Sequence, residues 1–127
     1  MATRCNCCML TVDDKVGTLA EISGKLKEAG VNILAVCAWV EGDTGKLLAC
    51  TDDDEKACEV FKTFGECGWI DVVCVEADNR PGGLGDIARK LGDAGINIDI
   101  VFATVTDAPK ARVVLKTSDN AKAAELV

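Results

Sequence analysis

Apolar and polar positions follow two periods along this chain, most cleanly in its second half. Val72 to Ala77 alternates around Val73 and Val75, which predicts a strand. Leu84, Ile87, Ala88, Leu91 and Ala94 then fall at helical spacing, with Asp86, Arg89, Lys90 and Asp93 opposite; this predicts an amphipathic helix. Pro81 suits the first turn of that helix, where its missing N–H costs nothing, and Gly95 suits the C-terminal cap, where φ turns positive. Residues 97–105 are rich in β-branched side chains and predict a second strand. Ala108-Pro109-Lys110 predicts a turn, and Arg112 to Lys116 a third strand. Ser118 or Asp119 is placed to cap a second helix.

The first half carries the same pattern 65 residues earlier. Asp13, Gly17, Leu19, Ile22, Lys25, Leu26, Ala29, Gly30, Asn32 and Ile33 return as Asp78, Gly82, Leu84, Ile87, Lys90, Leu91, Ala94, Gly95, Asn97 and Ile98. Two unrelated helices would share the apolar spacing but not the flanking glycines and asparagines, so the chain is a duplicated unit. The first copy reads as strand Cys7 to Val12, helix Gly17 to Ala29, strand Asn32 to Val40, a Gly42-Asp43-Thr44-Gly45 turn and strand Lys46 to Thr51. A helix from near Asp53 and a short strand at Trp69-Ile70 complete it. The order β-α-β-β-α-β predicts an α+β fold: two ferredoxin-like units with antiparallel sheets and both helices on one face. The repeats divide the chain at 1–71 and 72–127. At constant offset Val127 answers to Lys62, so the second unit lacks its last strand. The Val72 to Ala77 strand is then expected to keep an open edge, which another chain would cover. A homodimer or higher homo-oligomer follows from that edge.

Charge and composition narrow the partners. A formal net charge of −7 argues against a nucleic acid, whose phosphates need clustered Lys and Arg. The longest apolar run, Ile33 to Val40, is too short to cross a bilayer. No signal-peptide core follows Met1-Ala2-Thr3-Arg4, so a reducing cytoplasm is expected. The chain nevertheless holds eight cysteines. Across the repeat Cys7 and Cys8 answer to Val72 and Val73, Cys74 to Met9, Cys37 to Phe102, Cys50 to Leu115 and Cys58 to Ala123. Standing where the other copy is apolar, they read as buried free thiols. A metal site at Cys5-Asn6-Cys7-Cys8 is the alternative, but neighbours on a strand point to opposite faces and no histidine is present to complete a mixed set. No metal or other cofactor is therefore expected.

No catalytic constellation is visible, because the chain has neither histidine nor tyrosine and its acids and bases reduce to carboxylates, lysines and thiols. Asp52-Asp53-Asp54-Glu55 reads as the solvated start of a helix rather than a cation site. Trp39 and Trp69 read as packing or interface residues. The turn before each first helix is more informative. At Pro81-Gly82-Gly83-Leu84 backbone N–H groups lack intrahelical partners, and two glycines admit a ligand close to the backbone. A small carboxylate suits that place, and Asn79 offers both donor and acceptor to a zwitterion. Asn32 and Asn97 are polar where a strand begins. On residue chemistry alone the glycines serve equally well as caps and the asparagines as turn formers.

Asp78-Asn79-Arg80-Pro81-Gly82-Gly83-Leu84 with Ala94-Gly95-Ile96-Asn97-Ile98, on this strand order, resembles the ACT domain, the small regulatory module of amino-acid metabolism. Both copies resemble it. The resemblance implies a non-catalytic regulatory protein that binds a small amino acid at the interface between its copies. One implied site joins Asn79, Arg80, Pro81, Gly82, Gly83 and Leu84 with Asn32 of the other copy. A second joins Asp14, Lys15, Val16, Gly17, Thr18 and Leu19 with Asn97. It is expected to be the weaker, because Asp14 replaces the asparagine and Val16 the proline, and a carboxylate at 14 repels a ligand carboxylate. A partner enzyme of amino-acid metabolism would sense the ligand. The alternatives are a regulatory subunit that docks on an enzyme without a ligand, and a metal-handling protein using Cys5, Cys7 and Cys8.

Overall fold

The computed structural model describes residues 2–105 and 108–127, so Met1, with which the expected first repeat begins, lies outside them. Six strands and four helices follow in the order β1 (Ala2–Asp13), α1 (Thr18–Glu28), β2 (Ile33–Glu41), β3 (Thr44–Thr51), α2 (Asp54–Lys62), β4 (Glu66–Asp78), α3 (Gly83–Asp93), β5 (Ile98–Thr104), β6 (Lys110–Thr117) and α4 (Asn120–Leu126). This is the expected α+β pair of βαββαβ units. None of these helices is long and apolar enough to cross a membrane.

The chain forms two compact units, Asn6–Ile70 and Met1–Cys5 with Asp71–Val127, called here the 6–70 and 71–127 units. In the 6–70 unit the strand order is β2-β3-β1-β4, and β3 pairs antiparallel with both β1 and β2. Cys8 and Leu10 of β1 and Leu47 and Ala49 of β3 bury against Ile22 and Leu26 of α1 and Ala57 and Phe61 of α2. The shared parity of these strand positions puts both helices on one face. In the 71–127 unit the order is β1-β4-β6-β5, and Val73, Val75, Val113 and Leu115 meet Ile87, Leu91 and Ala123 in the equivalent core.

The expected open edge at Val72 to Ala77 is corrected by that order. β4 has β6 on one side and β1 on the other. Ala2 packs on the 71–127 core, and Arg4 forms an ion pair with Asp71. The strand missing after α4 is thus supplied by the first residues of the chain. The reason lies in the repeat: β1 begins at Ala2 and β4 at Glu66, so each is longer than the six-residue stretch read from alternation. The leading part of each long strand serves as the fourth strand of one unit, and its trailing part as the first strand of the other.

The repeat offset also shifts once. Cys8 faces Ala49 across β1 and β3, whereas Val73 faces Leu115 across β4 and β6, one residue beyond the Val114 that a constant offset of 65 would give. The hairpin between β5 and β6 carries the extra residue, and from there Thr51 answers to Thr117, an offset of 117 − 51 = 66. Cys50 therefore answers to Lys116 and Cys58 to Ala124, not to Leu115 and Ala123.

Helix starts follow local chemistry. Asp53 and Asp119 cap α2 and α4, each accepting a hydrogen bond from the amide three residues on, Lys56 and Lys122, at 3.1 Å. The caps of α1 and α3 are Gly17 and Gly82, at φ 88° and 86°. Gly82 follows Pro81 in a turn closed by Gly83 N–H donating to the Arg80 carbonyl at 3.0 Å, the type II geometry in which proline precedes a positive-φ glycine. Pro81 thus lies before the cap rather than inside the first helical turn.

Candidate functional site

The turn expected to hold a ligand exists twice. In the 6–70 unit Lys15-Val16-Gly17-Thr18 closes as Thr18 N–H donates to the Lys15 carbonyl at 3.3 Å. Valine in place of proline does not prevent the turn, because Gly17 supplies the positive φ. The amides of Leu19 and Ala20 stand in the first turn of α1, where no intrahelical acceptor exists.

Beside this turn opens a cavity of about 280 Å³. Asp13, Asp14, Lys15, Gly17, Thr18 and Leu19 line it from the turn, with Trp39 and Val40 of β2 and Lys46 and Leu47 of β3. Val16 does not line it and stands fully in solvent. The Trp39 indole N–H donates to Glu41 at 2.9 Å, which holds the ring against the strand end. Two carboxylates and two ammonium groups on an otherwise apolar lining match the two charges of a zwitterion.

The corresponding turn in the 71–127 unit is tied into its own loop. The Asn79 side chain donates to the Ala108 carbonyl at 2.8 Å. Arg80 pairs with Asp86 and Asp78 and donates to the Pro81 carbonyl. Lys110, followed by Arg80, holds the Asp78 carboxyl below the usual carboxylate range. Gly83 sits so close that an added Cβ would lie 2.2 Å from the Asp78 carbonyl oxygen, whereas Thr18 occupies that place in the other unit. Leu84 is exposed at the start of α3.

The asparagines anchor strand starts. Asn32 N–H donates to Asp52 at 2.9 Å, and the side chain lines a separate shallow depression with Ser23, Lys27 and Gly30. Asn97 N–H donates to the Ser118 hydroxyl at 2.9 Å, and its amide group donates to Asp99 at 2.7 Å. That bond, and then Lys116, lowers the Asp99 pKa. The resemblance pairs each turn with the asparagine of the other unit; within the 6–70 unit, Asn32 does not line the turn's cavity.

The cysteines sort by strand face. Cys7 and Cys50 are joined in a disulfide with Cα atoms 4.5 Å apart, which corrects the reading of both as free thiols. β1 and β3 set them directly opposite in a non-hydrogen-bonded pair, where Cα atoms approach most closely. Cys8 points to the opposite, helix-covered face, so the Cys5-Cys7-Cys8 cluster does not form. Instead Cys8 of β1, Cys58 of α2 and Cys67 of β4 converge, their sulfurs all within 4.8 Å of one another and Cys58 and Cys67 at 3.3 Å. Burial first, then the neighbouring thiols, pushes Cys8 up to about 12 and Cys67 to about 11.

Sequence reading missed Trp39, Val40 and Lys46 as cavity walls, because they reach the turn only through strand pairing. It also missed Cys67, whose repeat equivalent is Ala2 (67 − 65 = 2).

A family model for the ACT domain pair matches residues 5–127. No curated protein matches the chain. Among solved structures it resembles protein BT0572 from Bacteroides thetaiotaomicron, with TM-score 0.90, 26% identity, and coverage of 98% of this chain and 87% of that one. It also resembles the ligand-free regulatory subunit of aspartate kinase from Thermus thermophilus, with TM-score 0.69, 15% identity, and coverage of 98% and 89%. The duplicated βαββαβ frame, the paired glycine-capped turns and the family match over nearly the whole length agree: the chain belongs to the ACT domain pair family.

Proposed function

We propose that this protein is a non-catalytic regulatory protein that binds a small amino acid without a cofactor. The observation that carries the reading is the mixed-charge cavity at the Asp14 to Leu19 turn, walled by Trp39 and Lys46. In it Lys15 or Lys46 meets the ligand carboxylate, and Asp13 or Asp14 the ammonium. The turn Asn79 to Leu84 has the corresponding role in the 71–127 unit, with Asn32 and Asn97 as further ligand contacts. This ordering of the two turns reverses the one drawn from the Asp14 substitution, because the cavity supplies the cations that offset that carboxylate. Ligand binding shifts an equilibrium that an enzyme of amino-acid metabolism reads; the printed description of the Thermus relative, a regulatory subunit of aspartate kinase, supports that class of partner.

A thermal-shift screen of the twenty amino acids tests this. A ligand at a hundredfold excess over its Kd stabilises by about 2.7 kcal/mol, a shift of several degrees. The shift is expected to vanish when Lys15→Ala and Lys46→Ala are combined and to shrink in Asn79→Ala, Asn32→Ala or Asn97→Ala. No shift with any amino acid at millimolar concentration would leave the docking subunit as the better reading. One observation favours that second reading. The outermost strands expose Leu34, Val36 and Val40 on β2 and Val101 on β5, apolar positions of the kind that another protein or a second copy covers. Sedimentation at micromolar concentration checks the homo-oligomer that this surface suggests.

A further inference from the structure

We propose that Cys8, Cys58 and Cys67 form a binding site for one soft metal ion, held by three thiolates inside the 6–70 unit. The three residues come from three elements, β1, α2 and β4, yet their sulfurs all lie within 4.8 Å of one another. A metal with M–S bonds near 2.3 Å holds sulfurs about 3.8 Å apart in tetrahedral and about 4.0 Å in trigonal geometry. The Cys58–Cys67 separation of 3.3 Å and the 4.8 Å limit on all three pairs lie on either side of those values, so side-chain shifts of under about 1 Å suffice.

Packing alone does not call for these sulfurs. The equivalent core of the 71–127 unit fills the same three places with Val73, Ala124 and Ala2. One copy of the duplicated frame therefore places three aliphatic groups where the other places three ligating atoms. The charge balance points the same way. Without a cation Cys8 and Cys67 stay protonated, because burial and the neighbouring thiols oppose ionisation. A bound metal reverses that: each coordinating thiol gives its proton to water, and the ion offsets the charge of the three thiolates.

The donor set selects the ion. Three thiolates without imidazole, in a chain with no histidine, suit thiophilic ions such as Cu(I) or Zn(II) over Mg(II) or Ca(II), which take oxygen ligands. Cu(I) is the better match, since structural zinc takes four protein ligands and the trio provides three. The inference is independent of amino-acid binding.

The test titrates the reduced full-length protein with Cu(I), and separately with Zn(II), against a chromophoric chelator. One equivalent per chain is expected, with affinity lost by roughly a hundredfold or more in Cys58→Ala and Cys67→Ala. These variants install the residue of the other unit, and Cys5→Ser and Cys37→Ser serve as unaffected controls. Should the variants unfold, X-ray absorption of the wild-type protein loaded with one equivalent of Cu(I) decides: three sulfur neighbours at about 2.3 Å are expected. No stoichiometric binding of either ion, binding undiminished in the variants, or a bound ion without three sulfur neighbours overturns the proposal.

Discussion

The two units share a frame and differ in what fills it. Across the repeat, Ile22 and Leu26 answer to Ile87 and Leu91, and the buried Thr51 answers to Thr117. Thr51 donates to Asp54 and Thr117 to Asn120, so even the link from third strand to second helix is kept. Against that constancy, the inner face of the 6–70 unit carries Cys8, Cys58 and Cys67 in place of Val73, Ala124 and Ala2. Its turn is open beside a cavity, where the Arg80 turn is tied by ion pairs and by the close approach of Gly83 to Asp78. The comparison separates what the fold requires from what has been added to it. Caps, turn glycines and the aliphatic core belong to the frame; the three converging thiols belong to one copy.

The largest effect is expected where the cores differ most in bulk. Phe61 is fully buried in the 6–70 unit, while its equivalent, Val127 (61 + 66), is the last residue of the chain and only partly buried. Phe61→Ala should cost about 3–5 kcal/mol, as large-to-small changes in a packed core do. Val127→Ala should cost about 1 kcal/mol. Urea denaturation measures both, and equal losses would break the claim that α2 anchors its unit through this ring.

The two turns differ next. Gly83→Ala drives a methyl to 2.2 Å from the Asp78 carbonyl oxygen, a clash with backbone that should cost about 1–3 kcal/mol. Thr18→Ala, at the equivalent position, should be nearly neutral, since a Cβ is already accommodated there. If Gly83→Ala unfolds at the wild-type denaturant midpoint, the turns are alike and the contrast fails.

Much of this frame was legible in the residues themselves. Alternation at Val73 and Val75, helical spacing at Leu84, Ile87 and Leu91, and the aspartate caps each report a local rule, and each element formed where its rule applied. What escaped reading depends on pairing between distant segments. The leading part of β4 was legible at Trp69-Ile70, but alternation could not show that β1 extends back to Ala2 to complete the 71–127 unit, because its leading residues are mostly polar or small. Nor could a single fixed offset reveal the extra residue between β5 and β6, which moved Cys58 from Ala123 to Ala124. The candidate turns were legible as glycine-rich corners. The walls around one of them, Trp39 and Lys46, were not, since only strand register brings them to the corner.

A smaller effect checks the shared caps. Asp53→Ala and Asp119→Ala each remove a hydrogen bond to the amide three residues on and should each cost about 1 kcal/mol. α4 is the shorter helix, with one buried residue, Ala123, against three in α2. Hydrogen exchange should therefore show Asp119→Ala fraying its helix further, and equal fraying would mean that packing does not distinguish them.

The last contrast is one of pH. Cys74 of β4 has Met9 as its repeat equivalent, so only the 71–127 unit carries a titratable group there. A hydrogen bond from Cys5, aided by the charge of Arg112, holds the Cys74 thiol down at about 7 despite partial burial. Because the folded value lies below the ordinary 9.0, the thiolate favours the folded state above that ordinary value. The contribution is lost as pH falls through about 7. Alkylation of Cys74 should accordingly reach half its maximal rate near pH 7, while Cys8, pushed up to about 12, stays unreactive throughout the neutral range. Cys5→Ala should move the Cys74 midpoint upward, toward the ordinary thiol value. A midpoint unmoved by that substitution would assign the lowered value to Arg112 alone, and Arg112→Gln would then be the change that raises it.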